Sequence, residues 1–242
     1  ACGHAYNTVL ELVAAAAQKN LELICITEHG PALPGAPTPL FFANYQVIPG
    51  KINNVKVIKG IESNIIDADG NTDIPMTFID SLEIISASLH TPTFKPQSKS
   101  VNTGAVLGAI ANPDVDFICH LGNPTYELDY EAILQDAKKH NTLIEINNGS
   151  FFIRKGSKPN CEWIANRCKE LEIPIIIGSD THFASDIGDF PYVDKVLDAI
   201  DFPDELIINL AVDRLIDYLE GKGRILFADP REYAQELFLK NE

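Results

Sequence analysis

The chain has 242 residues, and its 45% hydrophobic content is enough for a sizeable buried core. Its formal net charge of −15, from 34 acidic and 19 basic residues, excludes duplex nucleic acid as a favourable partner, because neutralising phosphates needs clustered cations. No apolar run reaches the roughly 18–20 residues that span a bilayer, and no signal peptide is visible. The composition therefore predicts a cytoplasmic protein that does not contact membranes.

The five cysteines are odd in number and lack Cys-x-x-Cys spacing. Cys25 and Cys119 lie inside apolar runs, which predicts reduced side chains in the core. The sequence therefore predicts a protein without disulfides, as is typical of the cytosol.

The first half of the chain alternates between periodic apolar segments and polar loops. In order, we predict a helix over 8–19, a strand over 21–27, a loop over 31–54, a strand over 55–61, a turn over 67–70, a strand over 82–89, a polar loop over 91–102 and a helix over 103–111. The loop over 31–54 carries five prolines and has room for only a short helical turn, and loops of this length tend to be functional.

The second half continues the same alternation. In order, we predict a strand over 115–119, a helix over 129–140, a strand over 142–146, a basic loop, a helix over 160–171, a strand over 173–177, and helices over 192–200, 213–220 and 230–239, with a seventh short strand at 206–208. Strands that alternate with helices indicate an α/β fold with a mainly parallel sheet. Six or seven such units favour a closed or nearly closed barrel over a doubly wound open sheet. No repeat or linker interrupts them, which predicts a single domain over 1–242.

Polar side chains follow five of the predicted strands directly. They are His29, Glu62, His90, His120 and the pair Asp180 and His182. The carboxyl ends of parallel strands face one rim of a barrel, so we expect these side chains to converge there. Imidazole nitrogens and carboxylate oxygens are ligands of zinc, iron and manganese. With His4, which lies just before the first helix, the set exceeds the needs of one ion, so two or three ions with a bridging carboxylate are predicted. The sixth histidine, His140, closes a helix and is predicted to lie on the surface.

The motifs carried by these residues occur in a recognisable order. They are His4, Glu28-His29-Gly30, Gly60-Ile-Glu62-x-Asn64, His90, His120-x-Gly-Asn-Pro124, Glu145-Ile-Asn-Asn148 and Gly178-Ser-Asp-x-His182. This order resembles the polymerase and histidinol phosphatase (PHP) superfamily over nearly the whole chain, and is most similar to its YcdX-like phosphatases. The resemblance implies a distorted, TIM-like (β/α)7 barrel with three metal ions, usually zinc, at the C-terminal rim of the strands.

The resemblance also implies how the ligands are shared. The first ion would be held by His4, His29 and His182, the second by Glu62, His90 and His120, and a third by Asp180 with Glu62 as the bridge. The first motif of the family, His-x-His at the end of the first strand, is absent from this sequence. We therefore expect an N-terminal truncation that removes the first strand, with a weak or missing third ion and impaired activity. A trimeric assembly is a further implication of the family.

The activity implied by the resemblance is hydrolysis of small phosphomonoesters by a metal-activated water held by Glu62 and Asp180. Arg154 is the main candidate for binding the substrate phosphate, because its planar guanidinium matches a phosphate, and Lys155 beside it is the second. Asn147 and Asn148 either orient metal ligands or are turn residues.

Other functions remain open at this point. A metal-dependent phosphodiesterase is disfavoured by the low basic content, and an amidohydrolase would be distinguished by a substrate screen. A non-catalytic metal-binding or regulatory domain would bind metal without turnover. A cysteine nucleophile is disfavoured, because Cys119 and His120 are adjacent in a strand and should face opposite sides.

Overall fold

The computed structural model describes residues 1–227, and its central element is a seven-stranded sheet. The strands are β1 Leu23–His29, β2 Lys51–Ile52, β3 Val55–Asn64, β4 Ile84–Ser88, β5 Phe117–Ile118, β6 Leu143–Asn147 and β7 Ile175–Gly178. Their order is β1-β3-β4-β5-β6-β7, with every pair along this path parallel, while β2 pairs antiparallel with β3. The predicted α/β class and mainly parallel sheet are confirmed.

The sheet curls into a half-barrel. Strands β1 and β7 stand at opposite ends of the hydrogen-bonded path. Nevertheless His29, which ends β1, and His182, which follows β7, have ring centroids only 6.2 Å apart. The curl therefore brings the carboxyl ends of the first and last strands to one rim, as a barrel does.

Eight α-helices are present in the described residues. They are α1 Val9–Gln18, α2 Pro39–Ala43, α3 Lys99–Ala111, α4 Tyr130–His140, α5 Ser150–Ile153, α6 Ser157–Leu171, α7 Pro191–Ala199 and α8 Val212–Gly221. Short 3₁₀ helices cover Asn44–Val47, Met76–Ser81, Ala184–Asp186, Asp204–Leu206 and Ile208–Leu210. Capping residues determine where α1 begins and where α4 ends. Thr8 and Glu11 form a capping box at α1, and Asn141 ends α4 in the left-handed conformation.

Apolar side chains are buried on both faces of the sheet, as is typical of parallel strands. In β4, Ile85 packs into the larger cluster, formed with α3, α4, α6 and α7, while its neighbour Ile84 faces the opposite way. On that second face the sheet meets Leu215 and Leu219 of α8. The alternation of neighbouring side chains therefore divides the core into two layers.

Two buried ion pairs lie near the amino-terminal ends of β4 and β5, away from the carboxyl ends of the strands. Lys59 Nζ and Glu83 Oε1 are 2.8 Å apart, and both side chains are about 4% exposed. Arg224, just after α8, pairs with the buried Asp116 at 3.2 Å. These pairs connect β3 and the segment after α8 to the start of the neighbouring strands.

Some boundaries differ from the predictions. The stretch 31–54 contains α2, a 3₁₀ helix and β2, whose hairpin with β3 turns at Asn53 and Asn54, both with positive φ. Helix α3 begins at Lys99 instead of residue 103, because Ser98 caps it, and α5 forms in the predicted basic loop. The seventh strand expected at 206–208 is only a single parallel bridge from Ile207 to Ile175 between 3₁₀ helices.

The predictions for the cysteines and for the last helix have different outcomes. Cys25 is exposed, so its prediction as a core residue was wrong; it lies between the buried Ile24 and Ile26 on the opposite face of β1. All five cysteines, including the buried Cys119, are free thiols. The helix predicted over 230–239 lies outside the described residues. Within residues 1–227, no helix combines the length and apolarity needed to cross a membrane.

Candidate metal centre

Five histidines and two carboxylates meet at the carboxyl ends of the strands. His29 ends β1 beside Glu62 of β3, and the two are Cα partners in the parallel register. The others follow β4, β5 and β7 within four residues, and comprise His90, His120, Asp180 and His182. His4 joins them from the segment before α1, where Tyr6 N donates to His182 O at 3.1 Å. The predicted convergence of these side chains is therefore present.

Glu62 lies at the middle of this group. Its Oε1 is 2.9 Å from His120 Nε2 and 3.4 Å from His90 Nε2. Its Oε2 is 3.1 Å from His29 Nδ1. A carboxylate with imidazoles on both oxygens has the arrangement of a bridging ligand.

His4 and His182 form the outer part of the group. Their Nε2 atoms are 2.9 Å apart, and their rings stack with centroids separated by 4.6 Å. His182 Nδ1 lies 2.9 Å from the Asp180 carbonyl oxygen, which can only accept a hydrogen bond. His182 Nδ1 therefore carries the proton, and in the neutral ring Nε2 presents its lone pair towards His4.

The donor set fits a borderline divalent cation such as zinc. Buried His29 Nδ1 has no hydrogen-bond partner within residues 1–227, although Glu62 Oε2 is near it. The ligand atoms of His4, His29 and His182 lie within 4.8 Å of one another, and so do those of His29, Glu62 and His90. Imidazole nitrogens and carboxylate oxygens lie close together here, with too few protons to form hydrogen bonds with one another. A metal ion would satisfy their lone pairs.

The environment favours the protonation states that metal binding needs. Burial lowers the pKa of the His29 imidazole, and burial with the charge of Arg154 lowers that of His120. Burial opposes ionisation of Glu62, but the neighbouring imidazoles outweigh it, chiefly through the hydrogen bond with His120, and the pKa of this carboxyl lies well below its ordinary range. The imidazoles of His29 and His120 are therefore neutral beside an ionised carboxylate at neutral pH.

Asp180 and Arg154 form a second charged pair at the rim. Arg154 NH1 is 3.0 Å from Asp180 Oδ2, and Asp180 takes a positive φ of 55° as the chain leaves β7. Asn147 Oδ1 accepts from Ser150 N at 2.7 Å and lies 3.4 Å from Arg154 NH1. The predicted phosphate-binding arginine thus lies beside the candidate ligand Asp180, held by the turn that starts α5.

The other three predicted site residues are Asn147, Asn148 and Lys155. Asn148 Oδ1 accepts from Tyr192 N and Val193 N, so this side chain caps the start of α7. Asn147 Nδ2 donates to Glu145 Oε2 at 3.2 Å. The partners that the structure gives the two asparagine side chains are thus not candidate metal ligands. Lys155 is exposed, and no ion pair in the described part of the chain includes it.

Glu145 belongs to one of the sequence motifs, but no role was predicted for it. Its buried Oε2 accepts a hydrogen bond from His120 N at 2.8 Å, and His120 has an uncommon positive φ of 35°. Burial and the nearby charge of Asp180 raise the pKa of Glu145 to about 8. Its position two residues before Asn147 puts both side chains on the same face of β6, which is the signal that would have found it.

The comparisons with known proteins give close sequence relatives. The sequence matches no protein-family model. It is 44% identical over 223 residues to a probable phosphatase of Clostridium botulinum, covering 92% of each chain. It is also 44% identical over 226 residues to a probable phosphatase of Caldanaerobacter subterraneus subsp. tengcongensis, covering 93% of this chain and 89% of the relative.

Two solved structures share the fold at low sequence identity. Histidinol phosphate phosphatase from Lactococcus lactis, in complex with zinc, L-histidinol and phosphate, gives a TM-score of 0.57 at 17% identity, covering 94% of this chain and 93% of that one. A chain of archaeal ribonuclease P with mature tRNA gives 0.60 at 14% identity, covering 89% and 88%. Because 44% identity extends over nine-tenths of the sequence, this chain belongs to the family of these bacterial probable phosphatases.

Proposed function

We propose that this protein is a metal-dependent phosphatase of the PHP type, closest to the YcdX-like members, which hydrolyses small phosphomonoesters in a single domain. The cofactor is two to three zinc ions, with iron or manganese as the alternatives. The observation that carries the proposal is the convergence of three imidazoles on the buried carboxylate of Glu62, with two more, His4 and His182, grouped around His29. The names of the relatives and the zinc in the structurally similar histidinol phosphate phosphatase support it.

Each candidate ligand has a place in this proposal. His4, His29 and His182 would hold one ion, Glu62 with His90 and His120 would hold a second, and Asp180 would serve a third. Glu62 would be the bridge, since its two oxygens face different histidines. Zinc in such a centre supplies Lewis acidity and lowers the pKa of water that coordinates it.

Arg154 supplies the fixed positive charge that an acidic protein needs to bind a phosphate. Its side chain is 18% exposed, and its NH1 is already engaged by Asp180. The pairing holds the guanidinium plane while the remaining N–H groups stay available for phosphate oxygens. Lys155 lies next to it, is exposed, and contributes a second positive charge. The positive charge at the rim therefore orients the substrate, while Glu62 and Asp180 supply the negative charge for the cations.

The test combines metal analysis with turnover. Elemental analysis of purified protein should find more than one equivalent of zinc, iron or manganese, and a chelator should abolish hydrolysis of p-nitrophenyl phosphate. His120→Ala should lose metal and turnover together. His140→Ala is the matched control, because His140 pairs with Asp136 on α4, outside the metal centre. It should keep both properties.

Two results would contradict the proposal. Full hydrolysis by a chelated, metal-free sample would exclude metal dependence. Metal binding without turnover of any phosphomonoester would favour a regulatory domain. The cytoplasmic location and the trimer stay predictions from the sequence.

A further inference from the structure

Asn64 is a fully buried amide at the end of β3, two residues after Glu62. Its Nδ2 donates to Gly30 O at 3.1 Å and to Asp73 Oδ2 at 2.7 Å. Its Oδ1 lies 2.8 Å from His90 Nδ1. The side chain therefore connects the metal centre to a carboxylate outside it.

The bonds of Asn64 determine the tautomer of His90. The carbonyl of Gly30 and the carboxylate of Asp73 can only accept, so the amide nitrogen of Asn64 must face them. Its oxygen then faces His90, and an amide oxygen can only accept. His90 Nδ1 therefore carries the proton, and its Nε2, 3.4 Å from Glu62 Oε1, keeps the lone pair.

Asp73 holds Asn64 in this orientation. Its Oδ1 accepts from Asn64 N at 2.6 Å, and its Oδ2 accepts from Ala32 N at 2.7 Å. A Cβ on Gly30 would lie 2.2 Å from Asp73 Oδ1, so only glycine there allows this approach. One carboxylate thus joins the loop after β1 to the end of β3.

We infer that Asp73 and Asn64 are positioning residues which fix His90 as the Nδ1–H tautomer and so present its Nε2 to the metal. The inference rests on the proposed function, since the metal centre gives this tautomer its purpose. A carboxylate, an amide and an imidazole in series resemble the groups that commonly orient histidine ligands of zinc. Ser88 fits the same arrangement, because its Oγ donates to Ser63 O and leaves lone pairs towards His90 Nδ1 at 3.2 Å.

The first experiment needs no metal. ¹⁵N NMR of the histidine side chains in chelated protein should show His90 as the Nδ1–H tautomer in the wild type. Asn64→Ala should shift it towards the Nε2–H form. Asp73→Asn, at a less buried position, should shift it partly, since an amide N–H then faces Ala32 N and the Asn64 amide. Asn71→Ala is the matched control, because Asn71 is an exposed asparagine whose side chain donates to Asp67 Oδ2, outside the link to His90.

The second measurement is zinc affinity by competition with a chromophoric chelator. Asn64→Ala should weaken one zinc equivalent by roughly 10- to 100-fold and Asp73→Asn by about 10-fold, whereas Asn71→Ala should match the wild type. If Asn64→Ala does not fold, Asp73→Asn decides by the same two readouts. A folded variant that keeps both the Nδ1–H tautomer and wild-type zinc affinity overturns the inference. A wild type without zinc or turnover would instead overturn the proposed function, and the tautomer measurement would still judge the role of Asn64.

Discussion

Replacing Glu145 by glutamine is expected to stabilise the metal-free protein at pH 8 but not at pH 5. The side chain is 9% exposed, and its Oε2 accepts from His120 N and from Asn147 Nδ2. Burial, together with the charge of Asp180, raises the pKa of the carboxyl from 4.5 to about 8. Both donors point at one oxygen, so the amide oxygen of glutamine can keep both bonds without an ionisable proton.

The sign and the size follow from these pKa values. Between pH 4.5 and 8 the folded protein holds a proton that the unfolded chain has lost. The stability contributed by Glu145 is therefore present below pH 4.5 and is lost as the pH rises to 8. With ~1.4 kcal/mol per pKa unit, the free energy of unfolding of the wild type should fall by about 3–4 kcal/mol relative to Glu145→Gln between pH 5 and pH 8.

Urea unfolding in the presence of a chelator measures this difference. Fluorescence of Trp163 and far-ultraviolet circular dichroism should report the same transition at each pH. Glu127→Gln, at an exposed position, controls for the loss of one acidic group. The reasoning would be refuted if the free energies of unfolding of the wild type and Glu145→Gln differed by a constant amount from pH 5 to pH 8. Added zinc should reduce the difference, because a nearby cation favours the ionised carboxylate.

Three further substitutions test other parts of the structure. Lys59→Met should lower the free energy of unfolding by about 3–5 kcal/mol in a urea titration, because Glu83 stays buried without its cation; a loss below about 1 kcal/mol would contradict this. Gly60→Ala should destabilise by about 1–3 kcal/mol in the same assay, since its Cβ would lie 2.3 Å from Ile84 O, and an unchanged midpoint would contradict it. Arg154→Ala should raise KM for p-nitrophenyl phosphate by roughly 10- to 100-fold in steady-state kinetics, and an unchanged KM would exclude it from phosphate binding.

The sequence by itself determined the order of most elements and which side chains at the strand ends share one rim. Apolar runs such as Ile175-Ile-Ile177 specify buried strands, and helical spacing between them requires parallel pairing. Parallel strands place their carboxyl ends at one edge, so His29, His90 and His120, which end or follow such strands, must lie at the same edge. That convergence is a consequence of local pattern and topology alone, which is why it could be predicted.

The tertiary structure alone decided how these side chains are held. The exposure of Cys25, the hydrogen bond from His120 N to Glu145 and the link from Asp73 through Asn64 to His90 all depend on partners far away in the chain. Periodicity reports which face of an element a residue occupies, but not what the opposite element places there. Hydrogen bonds and burial depend on the residues that other elements place against that face. They are therefore known only from the folded structure, in which the sheet is curled and the loops are packed.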